Sequence, residues 1–272
     1  MYLNLSSELE KATRSYPVIT MTESKSSSSG YDFPGLDNLH KDIYPTIDAS
    51  KNSDLKQSGK VVLITGAGRG IGRAIALQYA HASAALIVLS ARTSTELDEV
   101  ESAINKINSS VRVQKQKLDV TDTSAVASFA ADFGAKEGRL DVLVNNAGAS
   151  GPWQNVAETD PHDWWSLMEV NLKGPYLILQ AFLPLLVATA EKQKTYVNVI
   201  NTTSIGAVQV SPTGSAYGIS KLALQRLSEF VDAEYAGKGV NVVGLHPGGV
   251  PTNLSREVEI IKDCKYISRF WV

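Results

Sequence analysis

The chain has 272 residues, 43% of them hydrophobic, and a formal net charge of -2. That length suffices for a sizeable core, and the charge balance gives no general attraction to nucleic acid or to an anionic membrane. The single cysteine, Cys264, excludes an internal disulfide and suits a reducing, cytoplasmic compartment; His40, His81, His162 and His246 are scattered without metal-ligand spacing.

The first twenty residues carry Glu8, Glu10, Lys11 and Arg14 and lack the apolar segment of a signal peptide. Residues 1–30 contain the polar, serine-rich stretch MTESKSSSSG and are expected to be disordered. Residues 31–58, with Pro34, Gly35 and Pro45, read as an extended arm anchored by Tyr44 and Ile47. The domain itself is expected over 59–272.

Val61 to Thr65 is apolar and β-branched, which predicts a buried strand. Gly66-Ala-Gly-Arg-Gly-Ile-Gly72 follows at once, and the residues from Arg73 read as a helix. A glycine-rich turn between strand and helix lets the backbone approach a pyrophosphate and aims the helix N-terminus at it. Gly66, Arg69, Gly70, Ile71 and Gly72 are therefore candidate cofactor contacts.

A second strand, Leu86 to Ser90, leads into Ala91-Arg92-Thr93. Dinucleotide folds often carry an acid here for the ribose 2′-hydroxyl. None is present. Arg92 and Arg69 instead suit a 2′-phosphate, which predicts NADP(H). A helix over 94–108 places Leu97, Val100, Ile104 and Ile107 on one stripe. Strand three, Val111 to Leu118, ends in Asp119-Val120; a helix over 121–137 then leads to strand four, Leu140 to Asn145, and to Asn146-Ala147-Gly148.

Asp160 is expected to cap a long helix with Pro161 at its first position. That helix carries Asn171 and is expected to bend at Pro175 and Pro184. Its apolar run, Leu177 to Val187, is too short to span a bilayer.

The most informative stretch runs from Tyr196 to Lys221. A buried strand delivers Ser204 to its carboxyl end. After a loop with Pro212 and Gly214, Ser215 is expected to cap a helix running to about Ala236. Tyr217 and Lys221 are four residues apart and share one helix face. A phenol ionises near pH ~10, and an adjacent ammonium is expected to lower that value. Ser204 can hydrogen-bond the same substrate oxygen. Together they form a proton-transfer device for a carbonyl or an alcohol. No G-x-S-x-G elbow is present.

Strand six, Val240 to Leu245, precedes His246-Pro247-Gly248-Gly249-Val250-Pro251-Thr252. Ser255 is expected to cap a short helix through Val258, Ile261 and Cys264, and 265–272 to pair as a last strand beside strand six. The alternation predicts an α/β fold, a doubly wound parallel sheet (Rossmann fold) in the order 3-2-1-4-5-6. Every motif falls beyond a strand's carboxyl end, where such sheets bind ligands.

Thr65 to Gly72, Asp119-Val120, Asn145 to Gly148, Asn171, Ser204, Tyr217-x-x-x-Lys221 and Pro247-Gly248 together resemble the short-chain dehydrogenase/reductase family, over roughly Lys60 to Thr252. The resemblance implies that Tyr217 is the general acid or base and that Lys221 assists it and holds the nicotinamide ribose. Ser204 would orient the substrate and Asn171 would hold a relay water. It implies that Asp119, with Val120 beside it, meets the adenine and that Asn146, Ala147 and Gly148 meet the adenosine ribose. Pro247, Gly248, Val250 and Thr252 complete the cofactor set, the last two at the carboxamide.

It further implies a homodimer or homotetramer built through helices 161–190 and 215–236. The arm with His40, Tyr44-Pro45 and Ile47 resembles fungal members, some of which serve natural-product biosynthesis. Only Gly249 to Val272 follow the Pro-Gly pair, so the family's substrate lid is expected to be shortened. The leading expectation is an NADP(H)-dependent oxidoreductase acting on a small-molecule ketone, aldehyde or alcohol. The alternative is a non-catalytic dinucleotide sensor or scaffold.

Overall fold

Among the described residues all the strands pair in parallel, so each connection crosses a face of the sheet. The computed structural model describes residues 43–250 and 252–256. The first half contains β1 (Val61–Thr65), α1 (Gly70–His81), β2 (Leu86–Ala91), α2 (Ser94–Ile107), β3 (Arg112–Lys117) and α3 (Thr123–Glu137). The second contains β4 (Val142–Asn145), α4 (Pro161–Met168), α5 (Gly174–Gln193), β5 (Val197–Thr202), α6 (Ser215–Tyr235), β6 (Val240–Leu245) and α7 (Asn253–Arg256). The strand order is β3-β2-β1-β4-β5-β6, as the alternation of elements predicts. The winding reverses between β1 and β4, which opens a crevice at their carboxyl ends.

Period-2 alternation divides the core between two faces. Leu63, Leu86 and Val88 point one way and join Phe129 and Phe133 of α3, Phe182 and Leu186 of α5 and Val231 of α6. The three phenylalanine rings meet at 5.4 to 5.9 Å between centroids, inclined to one another, which avoids face-to-face repulsion. Val62, Ile64, Ile87 and Leu89 point the other way, onto Ala76 and Ala80 of α1 and the Leu97–Val100–Ile104 stripe of α2. Beyond β4 this second face is thinly covered among the described residues: Asn198 is exposed and Val243 is 54% exposed.

The stretch read as one long helix is α4, a π-helical turn over Glu169–Lys173, and α5. Asp160 accepts the His162 amide and Pro161 sits in the first turn, as expected. Pro175 has no N–H to give the Asn171 carbonyl one turn back, which favours the widened turn there. By length and composition Pro161–Gln193 is apolar enough to cross a membrane, but half of that window is buried inside the fold. Phe182, Leu183 and Leu186 are core residues.

Residues 43–58 hold two 3-10 turns, Pro45–Ile47 and Ser53–Leu55. Gln57 N–H donates to the Ala82 carbonyl at 2.7 Å and Lys56 Nζ to the His81 carbonyl at 3.0 Å. The arm thus satisfies carbonyls at the negative end of α1. Ser255 lies within α7 and not ahead of it. The helix expected on to Cys264 and the strand expected over 265–272 lie outside the described residues.

Candidate active site

Gly66 and Gly70 both have positive φ, +64° and +55°. A Cβ at Gly66 would lie 2.8 Å from Ala147 Cα. One at Gly72 would overlap the Gly66 carbonyl and lie 2.6 Å from Asn146 Nδ2. The turn is therefore pressed against the end of β4. Thr65 Oγ1 accepts the Asn146 and Ala147 amides at 3.0 and 3.1 Å. Asn146 Nδ2 donates to the Thr65 and Gly66 carbonyls at 3.1 and 3.2 Å. Asn146 is thus a strut that holds the glycine turn, a role its position in the sequence does not announce. No side chain caps α1 at Arg69. Its first-turn N–H groups have no intrahelical acceptor, and its positive dipole end suits an anion. A bare backbone cradle with this helix end fits a dinucleotide pyrophosphate.

At the neighbouring corner, Ala91 ends β2 and Arg92 is exposed. Asp119 accepts the Thr121 amide and hydroxyl at 2.9 and 2.8 Å. The backbone bond from Thr121 chiefly holds its carboxyl below the usual range, with the hydroxyl bond and the Arg92 charge adding to it. Val120 packs against Gly174, where a Cβ would come within 2.7 Å of its Cγ2. Arg69 Nη1 lies 3.7 Å from Glu96 Oε1. Each arginine singled out for a 2′-phosphate thus has a carboxylate near it.

β5 delivers Ser204 to the 3-10 turn Ile205–Ala207, where its Oγ accepts the Gly206 amide at 3.1 Å. His246 Nδ1 accepts the Ile205 amide at 3.1 Å and steadies the same turn; burial lowers its pKa. The N-cap of α6 is Gly214, one residue earlier than expected. Ser215 is the first helical residue, and its hydroxyl accepts Trp164 Nε1–H at 3.2 Å, tying α6 to α4.

Ser204 Oγ and the Tyr217 ring converge at Gly206, each 3.5 Å from where a Cβ there would stand. Lys221 Nζ lies 5.9 Å from the Tyr217 ring centroid and donates to the Thr202 carbonyl at 2.8 Å. The expected lowering of the phenol pKa is not what this geometry produces. Burial raises it, and only the nearby Ser204 side chain pulls it down. Lys221 is itself buried, which lowers its pKa to about 8.

Asn171 is wholly buried in the π-turn. Its Oδ1 accepts the Ala149 amide at 2.8 Å, and its Nδ2 donates to the Ala149 carbonyl and to Ser220 Oγ, both at 3.0 Å. Gly148 sits in this corner: a Cβ there would be 3.2 Å from Asn171 Oδ1 and 3.5 Å from Lys221 Nζ. Trp153 stacks obliquely on Tyr217 at 5.7 Å between centroids. Its indole N–H is buried without a partner. Neither Ser220 nor Trp153 stands out in the sequence, because a helical serine and a loop tryptophan carry no local mark of their partners.

After β6, Gly248 adopts φ +84° and Val250 is buried. Thr252 Cγ2 comes within 3.3 Å of where a Gly70 Cβ would stand, and the Leu254 carbonyl accepts Ser150 Oγ–H at 3.1 Å. Thr252 therefore lies against the glycine turn. Among the described residues, a grouping of metal-type ligands occurs at the exposed start of α4, Asp160, His162 and Asp163.

A parallel sheet with a glycine cradle at its switch point and a Ser–Tyr–Lys group at the next strand end defines a dinucleotide-binding class. A family model described as short chain dehydrogenase matches residues 60–261, and the chain belongs to that family of oxidoreductases, which use a nicotinamide dinucleotide. It is 45% identical over 228 residues to a short chain dehydrogenase of Monascus purpureus, covering 82% of this chain and 75% of that one. Among solved structures it resembles a short chain dehydrogenase of Shigella flexneri described as complexed with NADP, with TM-score 0.72 and 27% identity, covering 80% and 88% of the two chains. It also resembles an NAD+-bound xylitol dehydrogenase, with TM-score 0.68 and 29% identity, covering 75% and 76%.

Proposed function

We propose that the protein interconverts a ketone or aldehyde with the corresponding alcohol, using NADP(H), with Tyr217 as general acid and base. The observation that carries this reading is the convergence of Ser204 and Tyr217 at Gly206 beside buried Lys221, at the strand ends next to the glycine cradle. The bound nicotinamide supplies or accepts the hydride. The chain's own residues handle the proton. In reduction, Ser204 and Tyr217 donate hydrogen bonds to the carbonyl oxygen, and the phenol proton moves onto that oxygen as it gains negative charge. The phenolate left behind is stabilised by the Lys221 ammonium. In oxidation the proton returns. A phenol raised by burial keeps its proton at neutral pH, the state from which reduction starts. Asn171 and Ser220 hold the Lys221 corner in register.

Gly66, Gly70 and Gly72 with the α1 N-terminus would hold the pyrophosphate; Asp119, Val120, Asn146, Ala147 and Gly148 would line the adenosine half. Pro247, Gly248, Val250 and Thr252 would border the nicotinamide. NADP(H) is preferred in this reading because Ala91 replaces an acid and Arg69 and Arg92 are cationic. A place in fungal natural-product biosynthesis, in a reducing cytoplasmic setting, is part of this reading by analogy with the fungal members that the arm resembles; the Monascus purpureus relative at 45% identity supports the fungal part of it. The protein is read as a homodimer or homotetramer.

The test is NADPH oxidation with a panel of ketones, on the parent and on Tyr217→Phe. Loss of turnover by about 10²-fold or more with NADPH affinity retained is expected, the scale of a lost general acid. Turnover within a few-fold of the parent would sink the assignment. NADPH binding with no ketone reduced by the parent would favour a binding module instead.

A further inference from the structure

The glycine turn and the start of α2 meet in an unexpected way. Glu96 stands in the first turn of α2. Its side chain lies over Gly68: a Cβ added there would come within 2.5 Å of Glu96 Oε2 and 2.9 Å of Glu96 Cβ. From that perch the carboxylate reaches Arg69, with Oε1 3.7 Å from Nη1. The Glu96 side chain is 31% exposed and that of Arg69 65% exposed. The pair therefore sits at the rim of the cradle, held by packing on one side and open to solvent on the other. Such a pair is weak and readily exchanged.

We propose that Glu96 sets the strength of the preference for a 2′-phosphorylated dinucleotide, by acting as the counter-ion that a 2′-phosphate must displace from Arg69. This rests on the reading that the cradle binds a dinucleotide. A 2′-phosphate is a doubly acceptor-rich anion and makes the stronger partner for a guanidinium. While Arg69 is paired with Glu96, part of that attraction is used in breaking the existing pair. A phosphate brought to this rim also meets the Glu96 charge. A cofactor without the 2′-phosphate needs neither exchange. Glu96 thus narrows the gap between the two dinucleotides, and the two arginines alone overstate it.

Two adenosine fragments separate the terms: 2′,5′-ADP and 5′-ADP, titrated calorimetrically into the parent, Glu96→Gln, Arg69→Gln and the double variant at low salt. Glu96→Gln should tighten 2′,5′-ADP by about fivefold, the scale of a surface charge pair, and leave 5′-ADP within about twofold. In the Arg69→Gln background the gain should vanish, because Glu96 then has no partner to withhold. At about 0.5 M salt it should shrink in the parent background. Melting curves of all four proteins check that the folds match.

An unchanged ratio between the fragments on Glu96→Gln, with both still binding, overturns the counter-ion role alone. So does weaker 5′-ADP binding, which would make Glu96 a ribose-hydroxyl acceptor. An equal gain without Arg69 overturns the exchange. If neither fragment bound any of the four proteins, the dinucleotide reading itself would be overturned, and this inference with it.

Discussion

Asn171 donates from Nδ2 to Ser220 Oγ at 3.0 Å, joining the π-turn between α4 and α5 to the helix that carries Tyr217. The same hydroxyl donates to the Tyr217 carbonyl at 2.7 Å. The carboxamide can therefore face only one way, with its oxygen on the Ala149 amide. Ser220→Ala leaves the Asn171 amide nitrogen with the Ala149 carbonyl as its one acceptor, so one buried N–H loses its partner. The expected cost is about 1–2 kcal/mol of stability. Turnover should fall more than NADPH affinity, and Ser220→Thr should restore part of it. Equal loss of both, with no rescue, would mean that Ser220 only packs.

Lys221 is charged at neutral pH in a buried site. Its folded pKa of about 8 lies below the free value of 10.5. Between those values the unfolded chain binds the extra proton, so this group's contribution to stability rises with pH from about 8 to 10.5. Lys221→Met removes the charge and keeps the stem. The variant should lose ketone reduction. Its stability relative to the parent should be most favourable near pH 7 and decline by about 3 kcal/mol or less as pH passes 8 to 10.5. A gap that stays constant over that window would contradict the buried ammonium.

Asp141, only 1% exposed, anchors the opposite end of the sheet. It accepts Arg139 Nε and Nη2 at 2.7 and 2.8 Å, Lys60 Nζ at 3.3 Å and the Val61 amide at 2.9 Å. Burial by itself would raise its pKa, but Arg139, Val61 and Lys60 together hold it below the usual range. The stability it adds is present at neutral pH and is lost as pH falls through that lowered value. Asp141→Asn should cost about 3 kcal/mol at pH 7, since it strands two cations beside a buried amide. The loss should disappear in acid. A neutral melting temperature matching the parent's would show that the network is dispensable.

Apolar side chains remain exposed on the helices that flank the site: Trp165 62%, Tyr176 46%, Ile219 46%, Leu222 49% and Phe230 60%. They are spread over α4, α5 and α6. Self-association through these helices would cover them. Light scattering at micromolar concentration should give a dimer or tetramer mass, and Phe230→Lys with Leu222→Lys should shift it towards the monomer. A monomeric parent would contradict this.

What the sequence determined by itself was local. Short continuous runs of apolar, β-branched residues such as Val61 to Thr65 marked the strands, and Leu97, Val100 and Ile104 marked the buried stripe of α2, because burial is written residue by residue. The glycine turn was legible because no side chain fits there, and Tyr217 and Lys221 because four helical residues make one turn. The order of the strands followed from alternation and connection rules. The tertiary structure alone decided the electrostatics. Desolvation belongs to the packed environment, so a phenol expected to be lowered by Lys221 is instead raised by burial. Ion pairs likewise depend on which elements touch: Glu96 met Arg69 only because α2 packs its first turn over Gly68. Ser215 looked like a cap, yet Gly214 holds that position, because Trp164 on a distant helix supplies the serine's hydrogen-bond partner.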